Sequence, residues 1–219
     1  GHHRDLHSFP TRRSSDLLEL GGATCHLSGF IKTAYPDVEI IATDVAPINI
    51  QRASELAKRV GFHTDAFALA DASRLPFKPE TFDFIVSSGM LHHITDLPLA
   101  LKNGFEALKP GGRWYAFNEL SIGRIPRLYW NSRFGRKGKW ARTAGINEFS
   151  YTYTEWQKLF SSAGFSIIDK RFHRNPAHKL RSWSLSAYYA FISKLPLFLL
   201  RMGIPCEINF ILEKQAAQP

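Results

Sequence analysis

Short apolar runs alternate with amphipathic segments along the first half of the chain. Residues 17–20 and 82–88 are largely apolar stretches of the length expected for buried strands, and residues 38–44 form another that ends on an aspartate. The segment PINIQRASELAKRVG starts at Pro47, carries apolar residues on one face and stops at Gly61, which predicts a helix.

The second half continues this alternation. Residues 96–108 predict an amphipathic helix ended by KPGG, and a strand follows at residues 113–120. Thr154 and Gln157 have capping-box spacing, which predicts a helix ending at Gly164. Two late strands are predicted at residues 165–172 and 207–214. Strands alternating with helices predict a doubly wound α/β sheet that binds its ligand at the carboxyl ends of the strands.

The first residues differ in character from the rest. HSFPTRRSSDL, at residues 7–17, matches one reading frame of a common short-read sequencing adapter. We therefore expect residues 1–16 to be an artefact of sequence assembly and the domain to span residues 17–219. A disordered basic N-terminal tail is the alternative.

Composition restricts the class of protein. Hydrophobic residues at 44% and charged residues at 21% are typical of a globular domain. Two cysteines, Cys25 and Cys206, form neither a disulfide framework nor a metal motif, so a reducing cytoplasm is expected. The apolar stretch at residues 185–204 is interrupted by Lys, Pro and Arg and does not predict a membrane span. The formal net charge of +9 favours an anionic partner, but no RNA-binding motif is present and we expect no nucleic acid.

Candidate ligand-binding groups follow the predicted strands. Gly21 and Gly22 allow close approach of the backbone to a ligand. Asp44 can accept hydrogen bonds from both hydroxyls of a ribose, or it can be the N-cap of the next helix. Asp71 can accept from an adenine amino group while the Ala72 amide donates to the ring, or it can simply cap its loop.

The blocks FDFIVSSGMLHHI and ALKPGGRWYAFNEL resemble the fourth and fifth strands of the class I S-adenosylmethionine-dependent methyltransferases, with the L-x-P-G-G turn of the family at residues 108–112. A nicotinamide dehydrogenase would share the glycine turn and Asp44 but not these blocks or the D-A-x-x-L-P-F motif. The resemblance runs from about residue 17 to residue 169 and is closest to the ubiquinone/menaquinone-type small-molecule branch. It implies a Rossmann-like, mostly parallel sheet of seven strands with a late antiparallel strand.

The resemblance also implies a site for S-adenosyl-L-methionine. The expected contacts are Glu19, Gly21, Gly22 and Ala23 for the methionine end, Asp44 for the ribose, Val45, Asp71 and Ala72 for the adenine, and Ser87 beside the substrate entrance. The family pattern E-x-G-x-G-x-G has Ala23 and Cys25 at its second and third glycine positions here. If either position needs a positive φ, the cost is about 1 to 3 kcal/mol. A catalytically degenerate cofactor-binding or scaffold protein is therefore the alternative to an enzyme.

Methyl transfer by in-line displacement needs a general base only if the acceptor must lose a proton. His92 and His93, just beyond the fourth strand, are candidates, as is Glu119 at the end of the fifth, and the alternative is a packing or loop-ordering role. The basic, aromatic-rich residues 121–150 resemble a substrate lid with anion-binding arginines, or form a solvated basic loop. Residues 178–205 suit a helix over the active site or interfacial membrane contact.

The sequence thus predicts a cytoplasmic methyltransferase, with a membrane-peripheral location as a variant. Its expected partner is a small-molecule acceptor, either anionic or lipid-like. Class I methyltransferases usually carry helical sequence before the first strand, so we expect this chain to be a truncated enzyme.

Overall fold

A computed structural model describes residues 15–62, 64–122, 149, 151–173, 191, 194 and 206–216. Of the regions singled out in the sequence, most of the leader at residues 1–16, of the basic segment at 121–150 and of the apolar segment at 178–205 lies outside the described residues.

The described strands form one sheet of seven. In chain order they are β1 (Asp16–Leu20), β2 (Glu39–Asp44), β3 (Ala66–Leu69), β4 (Phe82–Ser88), β5 (Leu108–Ser121), β6 (Phe165–His173) and β7 (Cys206–Lys214). Their spatial order is β3-β2-β1-β4-β5-β7-β6. The first five pair in parallel, and β7 is antiparallel to both β5 and β6. This confirms the predicted mostly parallel sheet with a late antiparallel strand.

Helices cover both faces of the sheet. The described α-helices are α1 (His26–Ala34), α2 (Pro47–Val60), α3 (Leu97–Ala107) and α4 (Tyr153–Ser162). Because side chains alternate along a strand, neighbouring residues of β1 enter different cores. Leu17 packs with Ile31 of α1, whereas Leu18 belongs to the core that holds Leu101 of α3 and Trp156 of α4.

The observed ends of most elements agree closely with the sequence. Helix α2 has the predicted bounds, and Gly61 ends it with a φ of 79°. Strand β1 begins at Asp16, one residue earlier than expected, and the Asp16 amide donates to the Asp83 carboxylate at 2.9 Å. Strand β5 begins at Leu108, five residues before the predicted start at Arg113, directly after α3 ends.

The predicted capping box is wrong in position. The N-cap of α4 is Thr152, whose hydroxyl accepts from the Glu155 amide, while the Glu155 carboxylate accepts from the Thr152 amide at 2.8 Å. The Thr154 and Gln157 pair has the same spacing, but Glu155 brings a negative charge into the first helical turn, where the helix dipole favours it.

Strand β5 contains a bulge that changes which side chains point inward. Ala116 pairs with Phe210 and Glu119 with Ile208, so two residues of β5, Phe117 and Asn118, face a single residue of β7. Asn118 has a φ of 56°. The extra residue shifts the alternation by one, and Glu119 therefore points into the same buried layer as Ala116.

Gly104 allows α3 to lie against the fully buried Trp114 ring, and any side chain at this position would overlap that ring. We predict that Gly104→Ala lowers the free energy of unfolding by about 1 to 2 kcal/mol, since overpacking outweighs the gain in helix propensity. Urea denaturation measures the change. Lys102→Ala, on the exposed side of α3, is the control and should change stability by less than about 0.5 kcal/mol. A Gly104→Ala protein as stable as wild type would contradict the packing described.

Candidate cofactor and acceptor site

The predicted site residues lie at one edge of the sheet. Strand β1 lies between β2 and β4, so the chain order reverses at β1 and β4 and leaves a crevice at their carboxyl ends. Glu19 is in β1, Asp44 ends β2, and the turn after β4 begins at Gly89. The fold thus brings together groups that are far apart in the sequence.

The turn after β1 is held tightly against its neighbours. Gly21 has a φ of 63°, and a side chain at this position would overlap the Met90 side chain from the turn after β4. The Gly22 amide donates to the Thr43 carbonyl at 2.9 Å. A Cβ atom on Gly22 would lie 2.9 Å from the Glu19 carboxyl group. Neighbouring side chains thus leave no room for a Cβ atom at either glycine. Gly21 is also favoured by its positive φ angle.

Ala23 and Cys25 adopt a backbone conformation that favours glycine, which is the residue that the family pattern has at both positions. Their φ angles are 50° and 52°, in the left-handed region. A residue with a Cβ atom pays about 1 to 2 kcal/mol there. Ala23 is exposed, whereas Cys25 is fully buried beside Ala42 and Ala53 and so recovers part of the cost by packing.

Glu19 is a buried carboxyl group beneath this turn. Its Oε2 accepts from the Ser28 amide at 3.1 Å and also from the Ser28 hydroxyl. Burial raises the pKa of Glu19 to about 7, with a smaller contribution from the charge of Asp44. Near neutral pH, Glu19 can therefore hold or release a proton in response to a nearby charge.

The Asp44 carboxylate joins two loops. Oδ2 accepts from the Ala23 amide at 2.9 Å, and Oδ1 accepts from the Ala46 amide at 2.9 Å and from Asn49 Nδ2 at 3.0 Å. Asp44 is not the N-cap of α2, because that position is held by Ala46 without a side-chain cap. The carboxylate thus fixes the glycine turn relative to the start of α2.

The expected adenine end combines a carboxylate with exposed apolar side chains. Asp71 accepts from the Ser73 amide at 2.8 Å and caps the 3₁₀ turn Ala72–Arg74, as its alternative role predicted. Val45 and Leu69 are 65% and 56% exposed. Leu69 pairs with Asp44 in the sheet, and Val45 follows Asp44, so apolar surface borders the predicted ribose position.

Ser87 has a structural contact in this fold. Its hydroxyl is fully buried and accepts from Trp114 Nε1 at 3.0 Å. The side chain therefore satisfies the indole of a core tryptophan, and its place beside the cofactor stays a prediction.

The turn after β4 is gathered around Glu119. Glu119 Oε1 accepts from the Met90 and Leu91 amides at 3.2 and 3.1 Å, and Oε2 accepts from the His92 amide at 3.2 Å. His92 Nδ1 lies 2.8 Å from Oε2. His93 is exposed and lies beside His92 with ring centroids 4.2 Å apart. The structure thus brings all three predicted catalytic residues together.

The two thiols are not candidates for catalysis. Burial raises the pKa of both Cys25 and Cys206 to about 12, so each stays protonated at neutral pH. Within the described part of the chain, no cluster of three His, Cys, Asp or Glu side chains could hold a metal ion. The helices described there include none that is long and apolar enough to cross a membrane.

Sequence reasoning missed the residues that hold the predicted ones in place. Ser28, Asn49 and Met90 contact Glu19, Asp44 and Gly21 respectively. Asn49 had a local signal, since it lies in the first turn of a helix that starts three residues after Asp44. Ser28 and Met90 carry no distinctive spacing, because their contacts arise from packing between elements.

Comparison with known proteins finds similarity to methyltransferases. Residues 18–116 match the family model described as Methyltransferase domain. The ubiquinone/menaquinone biosynthesis C-methyltransferase UbiE of Pasteurella multocida is 32% identical over 122 residues, covering 54% of this chain and 46% of that protein. The malonyl-[acyl-carrier protein] O-methyltransferase of Methylococcus capsulatus is 29% identical over 118 residues, covering 53% of this chain and 42% of that protein.

Solved structures share the fold. Geranyl diphosphate C-methyltransferase from Streptomyces coelicolor, in complex with Mg²⁺, geranyl diphosphate and S-adenosyl-L-homocysteine, superimposes with a TM-score of 0.68 at 10% identity. The superposition covers 93% of this chain and 76% of that one.

The chain therefore has the Rossmann-like fold of the class I S-adenosylmethionine-dependent methyltransferases, and its residues 18–116 are similar to a methyltransferase domain. The curated proteins that it is similar to include UbiE C-methyltransferases of several bacteria. The chain spans less than half the length of the curated relatives that it matches.

We predict that Ala23→Gly raises the free energy of unfolding by about 1 kcal/mol, because glycine has no Cβ penalty at a φ of 50°. Ala34→Gly, at the exposed end of α1, is the matched control and should lower stability by up to about 1 kcal/mol. Urea midpoints measure both changes. Loss of stability in both variants would show that Ala23 is not strained.

The burial of Glu19 predicts a pH dependence of stability. Its pKa is about 7 in the folded protein against an ordinary 4.5, so the folded state binds this proton more tightly than the unfolded chain. Below pH 4.5 Glu19 is protonated in both states and does not lower the free energy of unfolding. Between pH 4.5 and 7 the unfolded chain loses the proton first, so the free energy of unfolding falls as the pH rises. Above pH 7 the loss is about 3 kcal/mol. Glu19→Gln should therefore gain stability relative to wild type between pH 5 and pH 8. A difference that is constant with pH would contradict this.

Proposed function

We propose that this chain transfers a methyl group from S-adenosylmethionine to a small-molecule acceptor by in-line displacement. The observation that carries the proposal is the Asp44 carboxylate, held 2.9 Å from the Ala23 amide at the crevice beside β1. This contact joins a turn that lets a ligand approach the backbone to a carboxylate that can bind a ribose.

The residues at this edge fit the chemistry of that cofactor. Glu19, Asp44 and Asp71 offer carboxyl groups to a ligand that carries positive charge and hydroxyl groups. The exposed side chains of Val45 and Leu69 offer apolar contact to a flat ring. An acidic and apolar lining of this kind suits an adenosine-containing cation better than a phosphate-bearing ligand.

The binding capacity of Asp44 supports a direct hydrogen bond to the ribose. A carboxylate has about four acceptor positions, and protein donors use three of them here. One position thus remains, and a second ribose hydroxyl could replace the side-chain amide of Asn49. Only the side-chain contact, and neither backbone anchor, would have to change.

The charge state of Glu19 supports its assignment to the methionine end. With a pKa of about 7, Glu19 is partly protonated at neutral pH. An ammonium group placed near it would favour the ionised form. Cofactor binding would then release a proton below pH 7 and strengthen as the pH rises.

Bound S-adenosylmethionine supplies a methyl group that is already activated by a positively charged sulfur. The protein has mainly to align the acceptor with that methyl, which can contribute about 7 to 11 kcal/mol. The two turns that meet through Gly21 and Met90 are suited to this, because each is anchored to the sheet by hydrogen bonds.

The acceptor is proposed to be a small molecule with anionic or lipid-like character. The relatives' names include C-methylation in ubiquinone and menaquinone biosynthesis and O-methylation of malonyl-[acyl-carrier protein]. The basic and aromatic residues of segment 121–150 favour an anionic or lipid-like acceptor and peripheral membrane contact, on sequence grounds alone.

A cofactor-binding protein without turnover is the second candidate. The positive φ angles of Ala23 and Cys25 favour it, since both residues carry strain in the turn that would contact the cofactor. Tight binding of S-adenosylmethionine without methyl transfer to any of a broad panel of acceptors would select this candidate.

We predict that Asp44→Asn weakens S-adenosylmethionine binding by about 10-fold to 100-fold, because it loses charge-assisted hydrogen bonding. Isothermal titration calorimetry measures the dissociation constant. Asp37→Asn, an exposed aspartate at the opposite edge of the sheet, is the charge-matched control and should bind normally. An unchanged affinity in Asp44→Asn would contradict the assignment of Asp44 to the ribose. Absence of binding by the wild-type protein would contradict the proposed methyltransferase activity.

A further inference from the structure

We propose that Glu119 is a positioning residue that orients His92 as the general base of methyl transfer, and that the acceptor atom therefore carries a proton. The inference rests on the proposed function, since it assigns a step within that reaction. It also names the acceptor class: an ionisable hydroxyl or an acidic C–H, rather than a tertiary amine or a thioether.

Glu119 has no capacity left for a substrate. Its two oxygens accept from three backbone amides and lie beside His92 Nδ1, which fills the roughly four acceptor positions of a carboxylate. The residue is also fully buried. Glu119 therefore acts on the reaction only through the turn that it holds and through the His92 ring.

The contact with Glu119 fixes which nitrogen of His92 carries the proton. Three backbone amides already donate to the two Glu119 oxygens, so the carboxyl group is placed as an acceptor towards His92 as well. Nδ1 of a neutral His92 must then be the donor across the 2.8 Å contact, which leaves the lone pair on Nε2. That is the state a general base needs.

The His92 turn contacts the glycine turn on one side and a residue that borders segment 123–148 on the other. Met90 of this turn contacts Gly21 of the glycine turn. On the other side, the Phe149 amide donates to the His92 carbonyl at 2.9 Å, and the Ile122 amide donates to the Tyr151 carbonyl at 2.9 Å. Phe149 therefore lies against the His92 turn, and the residues on either side of segment 123–148 pair with each other.

Space and neighbouring charges agree with this role. A Cβ atom on Gly89 would lie 3.9 Å from the Cε1 atom of His92, so the glycine, which has a φ of 60°, puts no side chain against the ring from this position. Among the described residues, Glu119 from β5 and His93 on the same turn contact His92, and Tyr151 before α4 interacts electrostatically with Glu119. Burial, with the charges of Glu155 and Glu119, raises the pKa of Tyr151, so its hydroxyl stays protonated.

The proton and the electrons balance in a single displacement. His92 Nε2 takes the proton from the acceptor atom, and the electron pair of that bond forms the new bond to the methyl carbon. The sulfur keeps the electron pair of the broken carbon–sulfur bond and becomes neutral. The imidazolium that results lies against the Glu119 carboxylate, which stabilises its charge.

The first test needs no acceptor. Two-bond ¹⁵N–¹H correlations of ¹⁵N-histidine-labelled protein at pH 8 should show the His92 proton on Nδ1. In Glu119→Gln this preference should be lost, while S-adenosylmethionine affinity by calorimetry stays within about two-fold of wild type. A His92 proton on Nε2 in the wild-type protein would overturn the proposal.

The second test compares two methyl acceptors, 1,4-dihydroxynaphthalene, which must lose a proton, and iodide, which has none. Glu119→Gln and His92→Gln should each lower transfer to the diol at pH 7 by about 100-fold more than they lower transfer to iodide. Raising the pH towards 10, where a phenol ionises unaided, should restore most of the diol rate in both variants. Glu106→Gln, an exposed carboxyl on α3, is the control and should match wild type.

Three outcomes contradict the assignment. Equal loss with both acceptors would show that Glu119 only supports the fold. A lower rate of transfer to the diol in Glu119→Gln but not in His92→Gln would exclude His92 as the base. Methylation of iodide but not of the diol by the wild-type protein would contradict a protic acceptor. Failure of the proposed function is separate, because it would appear as absent cofactor binding in wild type and both variants, and the NMR test would still decide the state of His92.

Discussion

The Asp44 carboxylate makes the contact on which the geometry of the site depends. It takes hydrogen bonds from the glycine turn after β1 and from the start of α2, so one side chain sets the distance between the two loops that flank the crevice. Ala23 and Cys25 must accept unfavourable backbone angles to complete that turn. The strain is local, and the surrounding hydrogen bonds and the packing of Cys25 offset it.

Glu119 makes a similar set of hydrogen bonds on the other side of the crevice. Asp44 and Glu119 are both acids near the carboxyl end of a strand, and both accept backbone amides from a neighbouring turn. The two turns meet where Met90 covers Gly21. Two carboxylates thus shape the candidate site from opposite sides, one next to the predicted cofactor groups and the other next to the predicted catalytic groups.

The sequence predicted most of the sheet because its strands are apolar runs bounded by strong turn signals, as at Pro47 and Gly61. It also placed Glu19 and Asp44 near the carboxyl ends of β1 and β2, where the structure has them. It could not predict the contacts of Ser28, Met90 or Ser87, which depend on how elements pack. Nor could it place the capping box, because Thr152 with Glu155 and Thr154 with Gln157 have the same spacing. Of these two pairs, the structure uses the one that carries a negative charge.

The bulge in β5 has a consequence for how this domain can change by insertion and deletion. The strand has one residue more than its partner at Phe117 and Asn118, while Ala116 and Glu119 on either side face Phe210 and Ile208. Deleting a single codon there would restore a regular strand and leave the β5–β7 pairing and the sheet intact. The glutamate would still face Ile208 and stay on the buried side, so the strand can lose this surplus residue and keep the anchor of its β4 turn.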